Sequence, residues 1–446
     1  MNIVRWVCAV AATATVVGSA TGEPVALSIE QAVARVEPAA ASLTAAREDL
    51  ARAGDLVDAA RAARLPQVNA SASFQRTLVS EFKGGSFTLP TDPPITLDLP
   101  IGQTTIWRVG VGATQAIYDG GRARAAITLA GVGVEATRLG VEGQRTALVF
   151  AVSQAYWDAA LAVRAVEIAQ AALASADETL AQTQLAFAHQ AAAEFDVVRA
   201  QVARDNQATG VIQLEAQRAQ AMVTLARLID APLDQPLELT SRLELDDATV
   251  VAPGGAPSAA PLAVAQATLE VRGKEAAVVA AQAERLPVVQ ATTDLGLVDY
   301  PAHLHPFNTD WRANWTVGVG VSIPLFDGFR RRATTRAARR EVAAARARLA
   351  DVEERLAADQ RVVDAQLAAA RATWQQASRT VEQARRAFAI AELRVAQGAS
   401  THLELVDART QLEQAELNRA RSARDVRVAS LRRTLLAGLP LGAGGP

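Results

Sequence analysis

The chain has few of the residues on which several protein classes depend. Its 446 residues include one cysteine, Cys8, and only 4% are aromatic. Because hydrophobic residues still make up 50%, this shortage of large rings favours long, closely packed helices over a wide globular core. Basic and acidic side chains nearly balance, 45 against 47, so the chain lacks the basic excess that nucleic-acid binding requires. We therefore expect no nucleic-acid partner.

Residues 1–22 have the pattern of a secretory signal peptide: Arg5 precedes a short apolar run, and small residues follow. Cleavage near Ala20 or Gly22 would remove Cys8, which excludes disulfides and thiol catalysis from the mature protein. A lipid-acceptor role is the alternative for Cys8, which lies inside the apolar run rather than after it. No later segment reaches the roughly 18 uninterrupted apolar residues of a transmembrane helix, so we expect an exported protein without a helical anchor.

The chain is built from two copies of one pattern. Segment 107–122 aligns without gaps on 315–330, with eight identical residues in 16 positions. Upstream, the Leu-Pro pair at 65–66 matches the pair at 286–287. Each half therefore predicts a helix, Leu-Pro, strands, Asp-Gly, a long helix, a turn and a second helix.

The domain organisation follows from this duplication. We predict a first structural repeat over 23–230 and a second over 262–440. A connector over 231–261 separates them, because its five prolines and its Gly-Gly pair interrupt regular structure. A short tail covers 441–446.

Alternating apolar and polar residues predict four strands in two hairpins, over about 68–74, 105–117, 289–297 and 312–325. The alternation fits either a sheet on a soluble core or membrane strands that have one face on lipid and one on a wet lumen. Export, the absence of a large partner sheet and aromatic residues near the strand ends favour the membrane. The predicted aromatic girdle comprises Phe74, Trp107, Trp311 and Trp315.

Polar loops rich in proline and glycine are predicted over 84–102 and 300–309. Four strands cannot close a barrel, and an open sheet edge cannot face hydrocarbon. The smallest closed membrane barrels have about eight strands, so if these are membrane strands, several copies of the chain must combine them.

Two stretches without proline, 121–189 and 328–398, predict helices on the order of 100 Å long. Their charged residues exclude them as membrane spans. They are either a soluble helical scaffold or a wall of helices that continues a channel through an aqueous compartment.

The order and spacing of these motifs resemble the TolC-like outer-membrane efflux protein family (outer membrane factors), over essentially the whole mature chain. The matching segments are 27–32, the two Leu-Pro junctions, the strand exits at 118–121 and 324–328, and the tips at 195–200 and 398–408. No single motif is specific, but their order and duplication are.

The resemblance implies a mainly α protein with a small membrane β part. It also implies a homotrimer, in which a 12-stranded outer-membrane β-barrel continues as a long periplasmic α-helical barrel. Such a trimer is a passive exit duct in a tripartite efflux or type I secretion system of a Gram-negative bacterium. It is gated at its periplasmic tip and docks onto a periplasmic adaptor and an inner-membrane pump. No enzymatic activity and no cofactor are implied.

The resemblance places Glu404 and Asp407 on the pore side of the tip. Three positions apart on a helix, they share one face, and threefold symmetry would bring six carboxylates to a constriction that attracts cations. The alternative is an ordinary solvated helix face.

Asp196 falls on an acidic position of the family's gating network. The aromatic and basic partners of that network are replaced here by Val395 and Ser400, so the closing bonds must differ. Arg199 and Arg394 are the candidate replacements.

The turns at the tips carry the small residues that adaptors contact. Gln190 stands in the first copy where the second has Gly398, so adaptor contact is better supported at the second tip. The predicted contact residues are Gly398, Ala399, Ser400, Gln190 and Ala191.

Three other interpretations compete with the channel. A nucleotide site at the Gly-x-Gly pairs 110–112 and 318–320 lacks the third glycine. His303 and His305 resemble a metal pair, but they are more typical of an exposed loop. The remaining alternative is a periplasmic adaptor or coiled-coil scaffold, which would have one helical hairpin rather than two tips. The sequence does not specify the transported substrate.

Overall fold

A computed structural model describes residues 25–39, 41–79, 86–98, 105–233, 235–245, 261–301, 311–397, 399–400 and 402–440. The predicted signal peptide, the tail, Gly398, His303 and His305 lie outside this part of the chain. Its helices are α1 (Ile29–Ala39), α2 (Ala41–Ala62), α3 (Arg122–Ala188), α4 (Glu194–Leu228), α5 (Leu262–Ala283), α6 (Arg330–Ala396) and α7 (His402–Leu435). Its strands are β1 (Val25–Leu27), β2 (Gln67–Arg76), β3 (Ser86–Leu89), β4 (Ile95–Asp98), β5 (Thr105–Tyr118), β6 (Leu237–Leu239), β7 (Val288–Asp299) and β8 (Arg312–Ser322).

The two long helices predicted from the absence of proline are confirmed. Helices α3 and α6 each have 67 residues, which corresponds to about 100 Å. By length and composition, one stretch of α3 would also pass as a membrane-spanning helix, and 44% of that stretch is buried inside the protein. Helix α3 also supplies Val152, Ala155, Tyr156 and Ala159 to a hydrophobic core inside the protein.

The chain divides into two compact units, and each draws on both sequence repeats. The helical unit comprises residues up to 40, 147–255 and 362–435, and the sheet unit comprises 41–146, 256–361 and 436–446. Helices α3 and α6 contribute to both units.

The sheet unit holds a four-stranded antiparallel sheet in the order β2-β5-β7-β8. Both predicted hairpins are confirmed, and pairing of β5 with β7 joins them. The polar loop predicted over 84–102 contains a further short hairpin that the sequence analysis did not predict, because β3 and β4 pair there. Each strand has only four residues, and the prolines and glycines around them dominate the local composition.

The register puts the apolar residues of all four strands on one face of the sheet. Opposite Trp107, Val109 and Val111 lie Phe74, Ala72 and Ala70 of β2, while β7 places Leu297 and Leu295 beside them. The opposite face carries small and polar residues such as Ser71, Gly110 and Thr316. The apolar face is largely exposed, with Trp315 at 72%. An exposed apolar surface of this extent marks an interaction with another protein or a membrane.

The duplicated Asp-Gly pairs start the two long helices. The Asp119 carboxylate accepts hydrogen bonds from the backbone N–H groups of Gly121 (2.9 Å) and Ala123 (2.6 Å). Asp327 accepts the equivalent bond from the N–H of Arg331 (3.0 Å). Each aspartate thus caps N–H groups that have no partner inside the helix. The following glycines supply the left-handed backbone of the turn, with φ of +69° at Gly120 and +68° at Gly328.

The helical unit packs a short parallel strand pair, β1 with β6, against α3, α4 and α7. Strand β6 lies within the segment predicted as an irregular connector, where Leu237 and Leu239 provide a short alternating pattern. Tyr156 of α3, whose side chain is 0% exposed, joins the strand pair to the helices. Its hydroxyl donates to the carbonyl of Leu27 (2.9 Å) and accepts from the N–H of Ser241 (3.0 Å).

Candidate functional site

The first tip is the turn between α3 and α4. The backbone N–H of Ala191 donates to the carbonyl of Ala186 (2.8 Å), and Gln190 adopts a left-handed φ of 57°. This conformation favours glycine, so Gln190 keeps the turn geometry at a cost in conformational energy. The Asp196 carboxylate accepts from the N–H of Ala193 (3.2 Å), which gives it a capping role at the start of α4.

The second tip is the turn between α6 and α7. The N–H of Ala399 donates to the carbonyl of Arg394 (2.8 Å). The Arg394 guanidinium forms an ion pair with Glu404 (3.0 Å), and the Ser400 hydroxyl also donates to that carboxylate. Arg394 and Ser400 therefore both engage Glu404, which joins the end of α6 to the first turn of α7.

Glu404 and Asp407 differ in their electrostatic surroundings although both are exposed on α7. Glu404 is paired with Arg394 across the turn. Among the described residues, none forms an ion pair with Asp407. Of the two carboxylates predicted to line the pore, Asp407 is therefore the one whose negative charge has no ion pair among the described residues.

A cavity of about 380 Å³ lies in the helical unit between α3, α4 and α7. It brings together two predicted gating residues, Asp196 and Arg199, with Ser400 of the second tip. Arg394 is not part of its lining. The predicted network is thus divided between the cavity and the Glu404 pair.

The cavity also exposes Arg409, a residue that the sequence analysis did not select. Arg409 is 8% exposed, and one of its terminal nitrogens contacts the hydroxyls of Ser175 and Thr179. Its guanidinium lies 5.7 Å from the ring centre of Phe388. Burial lowers the pKa of Arg409, and the nearby carboxylates of Glu178, Glu392 and Glu413 oppose this change.

A signal for Arg409 was present in the sequence. It follows Leu405 by four positions, so it falls on the buried face of α7, where an arginine is unusual. With Arg199 it gives the cavity two guanidinium groups against the one carboxylate of Asp196. No group of three or more His, Cys, Asp or Glu side chains that could hold a metal ion occurs within the described ranges.

The predicted girdle residues all lie toward the loop end of the sheet. Phe74 and Trp107 are opposite each other on β2 and β5, with ring centres 4.7 Å apart. Trp315, near the start of β8, donates its ring N–H to the Thr293 hydroxyl (2.9 Å), and Trp311 directly precedes that strand. The end of the sheet where the helices attach carries another set that the sequence analysis missed, Tyr118, Phe326 and Phe329.

A comparison with protein-family models gives a match to the outer membrane efflux protein family over residues 34–230 and 260–438. The two matched segments reproduce the duplication found in the sequence. Among curated proteins, the comparison finds no significant match.

Several solved structures share the fold. The Campylobacter jejuni CmeC outer membrane channel superposes with a TM-score of 0.75 at 14% identity, covering 93% of this chain and 86% of its own. The outer membrane protein VceC from Vibrio cholerae gives 0.72 at 19% identity, covering 91% and 95%. The open state of the Neisseria gonorrhoeae MtrE outer membrane channel gives 0.68 at 19% identity, covering 92% and 88%.

Proposed function

Because the chain belongs to the outer membrane efflux protein family, we propose that three copies assemble into one passive duct that is gated at the helix-turn tips. The resemblance drawn from the motifs is confirmed: the protein is an outer-membrane exit duct for efflux in a Gram-negative bacterium, and its helices extend into the periplasm. Its family is one of channels rather than enzymes. The alternative of a periplasmic adaptor or scaffold does not fit this family.

The observation that carries the trimer is an open sheet with an exposed apolar face. Strands β2 and β8 form the two edges, and among the described strands neither has a partner for the backbone N–H and C=O groups on its outer side. Hydrocarbon cannot satisfy those groups, so the edges must pair with other copies. Three copies supply twelve strands, which exceeds the minimum of about eight for a closed membrane barrel.

The assembly is tested by fractionation of cells that express the full chain. We expect an SDS-resistant species of three times the protomer mass in the outer-membrane fraction. Boiling should convert it to the monomer, because only noncovalent pairing joins the copies. A monomer that salt extracts from the periplasmic fraction would contradict both the trimer and the closed barrel.

The proposed partners are a periplasmic adaptor and an inner-membrane pump. Exposed apolar side chains near the first tip support contact with another protein, since Leu185, Phe195 and Val198 are all more than half exposed. Ala399 and Ser400 at the second tip, with Gln190 and Ala191 at the first, remain the predicted contacts. Copurification of the adaptor and pump with the full chain would identify the system it serves, whether drug efflux, metal-ion efflux or type I protein secretion.

The proposed selectivity filter combines paired and unpaired charges. In a trimer the tip would hold three Glu404–Arg394 pairs, each of them electrically neutral, and three Asp407 carboxylates without a partner. Asp407 should therefore provide most of the attraction for cations, while Glu404 closes the turn between α6 and α7.

We predict that Asp407→Asn lowers the ratio of cation to anion permeability. A unit charge attracts a cation about 6 Å away in water by roughly 0.7 kcal/mol, which corresponds to about a threefold change in local concentration. The permeability ratio should fall by about threefold or more, and blocking by multivalent cations should weaken. Reversal potentials in planar bilayers under a salt gradient measure the ratio.

The matched control is the double variant Arg394→Gln/Glu404→Gln, which removes two opposite charges together and leaves the net charge unchanged. It should keep the selectivity of the wild type. If Asp407→Asn leaves the reversal potential unchanged, Asp407 does not face the pore. If the double variant changes the potential as much as Asp407→Asn, Glu404 also contributes to the filter charge, and its pair with Arg394 does not neutralise it.

A further inference from the structure

The first turns of α6 carry an exposed arginine face. Six arginines lie between residues 330 and 340, and the first acidic residue of the helix is Glu341. Viewed down the helix axis, four of the six project within an arc of about 100°, and no buried residue of these turns projects within that arc. These four, called the arginine face below, are Arg332, Arg336, Arg339 and Arg340.

The arginine face has no ionic partner within the described part of the sheet unit. Its neighbours Arg330 and Arg331 are paired, with Glu284 (3.3 Å) and Asp327 (3.4 Å) respectively. No such ion pair involves the four residues of the face, and all four are exposed. They therefore form a concentrated positive surface that no described residue of the unit neutralises.

Helix formation does not explain this charge. The N-terminal end of a helix carries partial positive charge, so a basic side chain is disfavoured in the first turn, where Arg332 lies, and gains nothing from the helix dipole in the following turns. The first repeat confirms that the fold does not need them. The residues of α3 that correspond to Arg336, Arg339 and Arg340, at the offset of 208, are Thr128, Gly131 and Val132. Three of the four arginines of the face are thus absent from the first copy.

The arginine face adjoins exposed apolar and aromatic residues that extend the apolar face of β8. Leu325 and Phe326 are 91% and 77% exposed and follow the last residue of the strand, Ser322, by three and four positions. Phe326 packs edge to face on Phe329, with ring centres 5.6 Å apart. The Arg332 guanidinium lies 5.5 Å from the ring centre of Phe329. Aromatic rings beside basic side chains are typical of the boundary between hydrocarbon and lipid headgroups.

The dimensions fit a headgroup layer. The layer on each side of the hydrocarbon core is about 5–8 Å thick, and eight residues from Arg332 to Arg340 correspond to about 12 Å of helix. Helical side chains lean toward the N-terminus, which here means toward the strands, and long basic side chains extend to reach the interface. The Arg332 guanidinium therefore lies at the level of Phe329, and the other three guanidinium groups lean toward that level from the next turns of the helix.

We propose that the arginine face of α6 binds the phosphates of anionic phospholipids in the inner leaflet of the outer membrane. The inference rests on the placement of the strands in that membrane and goes beyond the duct function. Charge complementarity and continuity with the apolar strand face argue for lipid over a protein partner. Such binding would fix the depth and orientation of the duct at the junction of sheet and helices.

The test uses full-length protein in detergent micelles that contain dioleoylphosphatidylglycerol or, separately, dioleoylphosphatidylcholine. Native mass spectrometry counts the phospholipids retained per assembly. The test variant changes all four arginines of the face to glutamine. The control variant removes four other exposed arginines of the same helix, which begin about 22 Å beyond the end of the arginine face. These are Arg355, Arg361, Arg379 and Arg386.

We expect the wild type and the control variant to retain phosphatidylglycerol in preference to phosphatidylcholine. The affinity of the test variant for phosphatidylglycerol should be lower by at least about tenfold, because each basic side chain near an anionic surface adds to the attraction. A variant with lysine at all four positions should restore most of the binding. Excess inorganic phosphate should not displace the lipid, since the chains of the lipid also contact the apolar strand face.

Three results would overturn the proposal. Equal lipid retention by the wild type and the test variant would show that the face does not bind headgroups. Displacement by inorganic phosphate alone would indicate a site for a free anion. Loss of the assembly in the test variant, with unchanged lipid retention by the remaining assemblies, would place the arginines at a contact between copies. Failure of the wild type itself to assemble would instead contradict the proposed duct.

Discussion

Gly120→Ala should destabilise the protein by about 3 kcal/mol or more, whereas Gly328→Ala at the corresponding position of the second repeat should cost about 1 kcal/mol. Both glycines have nearly the same left-handed φ, +69° and +68°, so both variants impose the same backbone strain. They differ in the space around the new methyl group. At Gly120 it would lie 2.9 Å from the Ala283 carbonyl oxygen and 2.9 Å from the Leu286 Cβ, while nothing lies within 4 Å at Gly328.

The neighbours of Gly120 have little freedom to move. Ala283 ends α5, and Leu286 belongs to the Leu-Pro junction that leads into β7. Relief of the contact would therefore shift the end of a helix relative to a strand. The midpoint of thermal unfolding in detergent, measured at one heating rate, and the yield from the outer membrane should both rank wild type, Gly328→Ala, Gly120→Ala.

Gly121→Ala is a second control, because Gly121 has a φ of +93° and nothing within 4 Å of the added methyl group. If Gly120→Ala and Gly328→Ala lower the midpoint equally, backbone strain alone accounts for both glycines. The close approach of α5 to the turn would then contribute nothing, and the repeats would be equivalent at this position.

Those parts of the fold that depend on local pattern followed from the sequence. Stretches without proline gave α3 and α6 nearly to the residue, and alternation gave the four main strands. The two Asp-Gly pairs marked the starts of the long helices because the aspartate caps and the glycine permits the turn. Each of these signals acts within a few residues, so a single sequence contains it.

Contacts between distant segments could not be read in the same way. The pairing of β5 with β7 joins residues of different repeats, and the parallel pair β1 and β6 joins segments about 210 residues apart. Three-residue strands carry too little pattern to be distinguished from a loop. The ion pair of Arg394 with Glu404 likewise depends on the conformation of the turn between them, which the resemblance did not specify.

Tyr156→Ala should give the largest local effect in the helical unit. The Tyr156 side chain extends from α3 toward β1 and is fully buried. It packs edge to face on Trp157, with the two ring centres 5.3 Å apart. Truncation of a buried aromatic side chain costs about 3–5 kcal/mol, because the cavity is only partly filled. The lost hydroxyl adds about 1–3 kcal/mol, since the Ser241 N–H is left without its acceptor.

Tyr156→Phe separates these two contributions. It keeps the ring and removes only the hydroxyl, so it should cost about 1–3 kcal/mol. The Leu27 carbonyl keeps one partner in either variant, because the N–H of Thr240 also donates to it (3.0 Å). The backbone N–H of Ser241 is therefore the group that loses its hydrogen-bond partner, so the effect of the hydroxyl can be observed directly at this amide.

Hydrogen–deuterium exchange of the full chain in detergent measures both variants without assuming two-state unfolding. A loss of 1–3 kcal/mol corresponds to about 5–150-fold faster exchange at Ser241, and Tyr156→Ala should accelerate exchange of the β1 and β6 amides by about 1,000-fold or more. Strands β5 and β7, which belong to the sheet unit, should exchange as in the wild type. Unchanged exchange at Ser241 in Tyr156→Phe would mean that the hydroxyl does not hold the segment after β6, and the stability of this layer would then come from apolar packing alone.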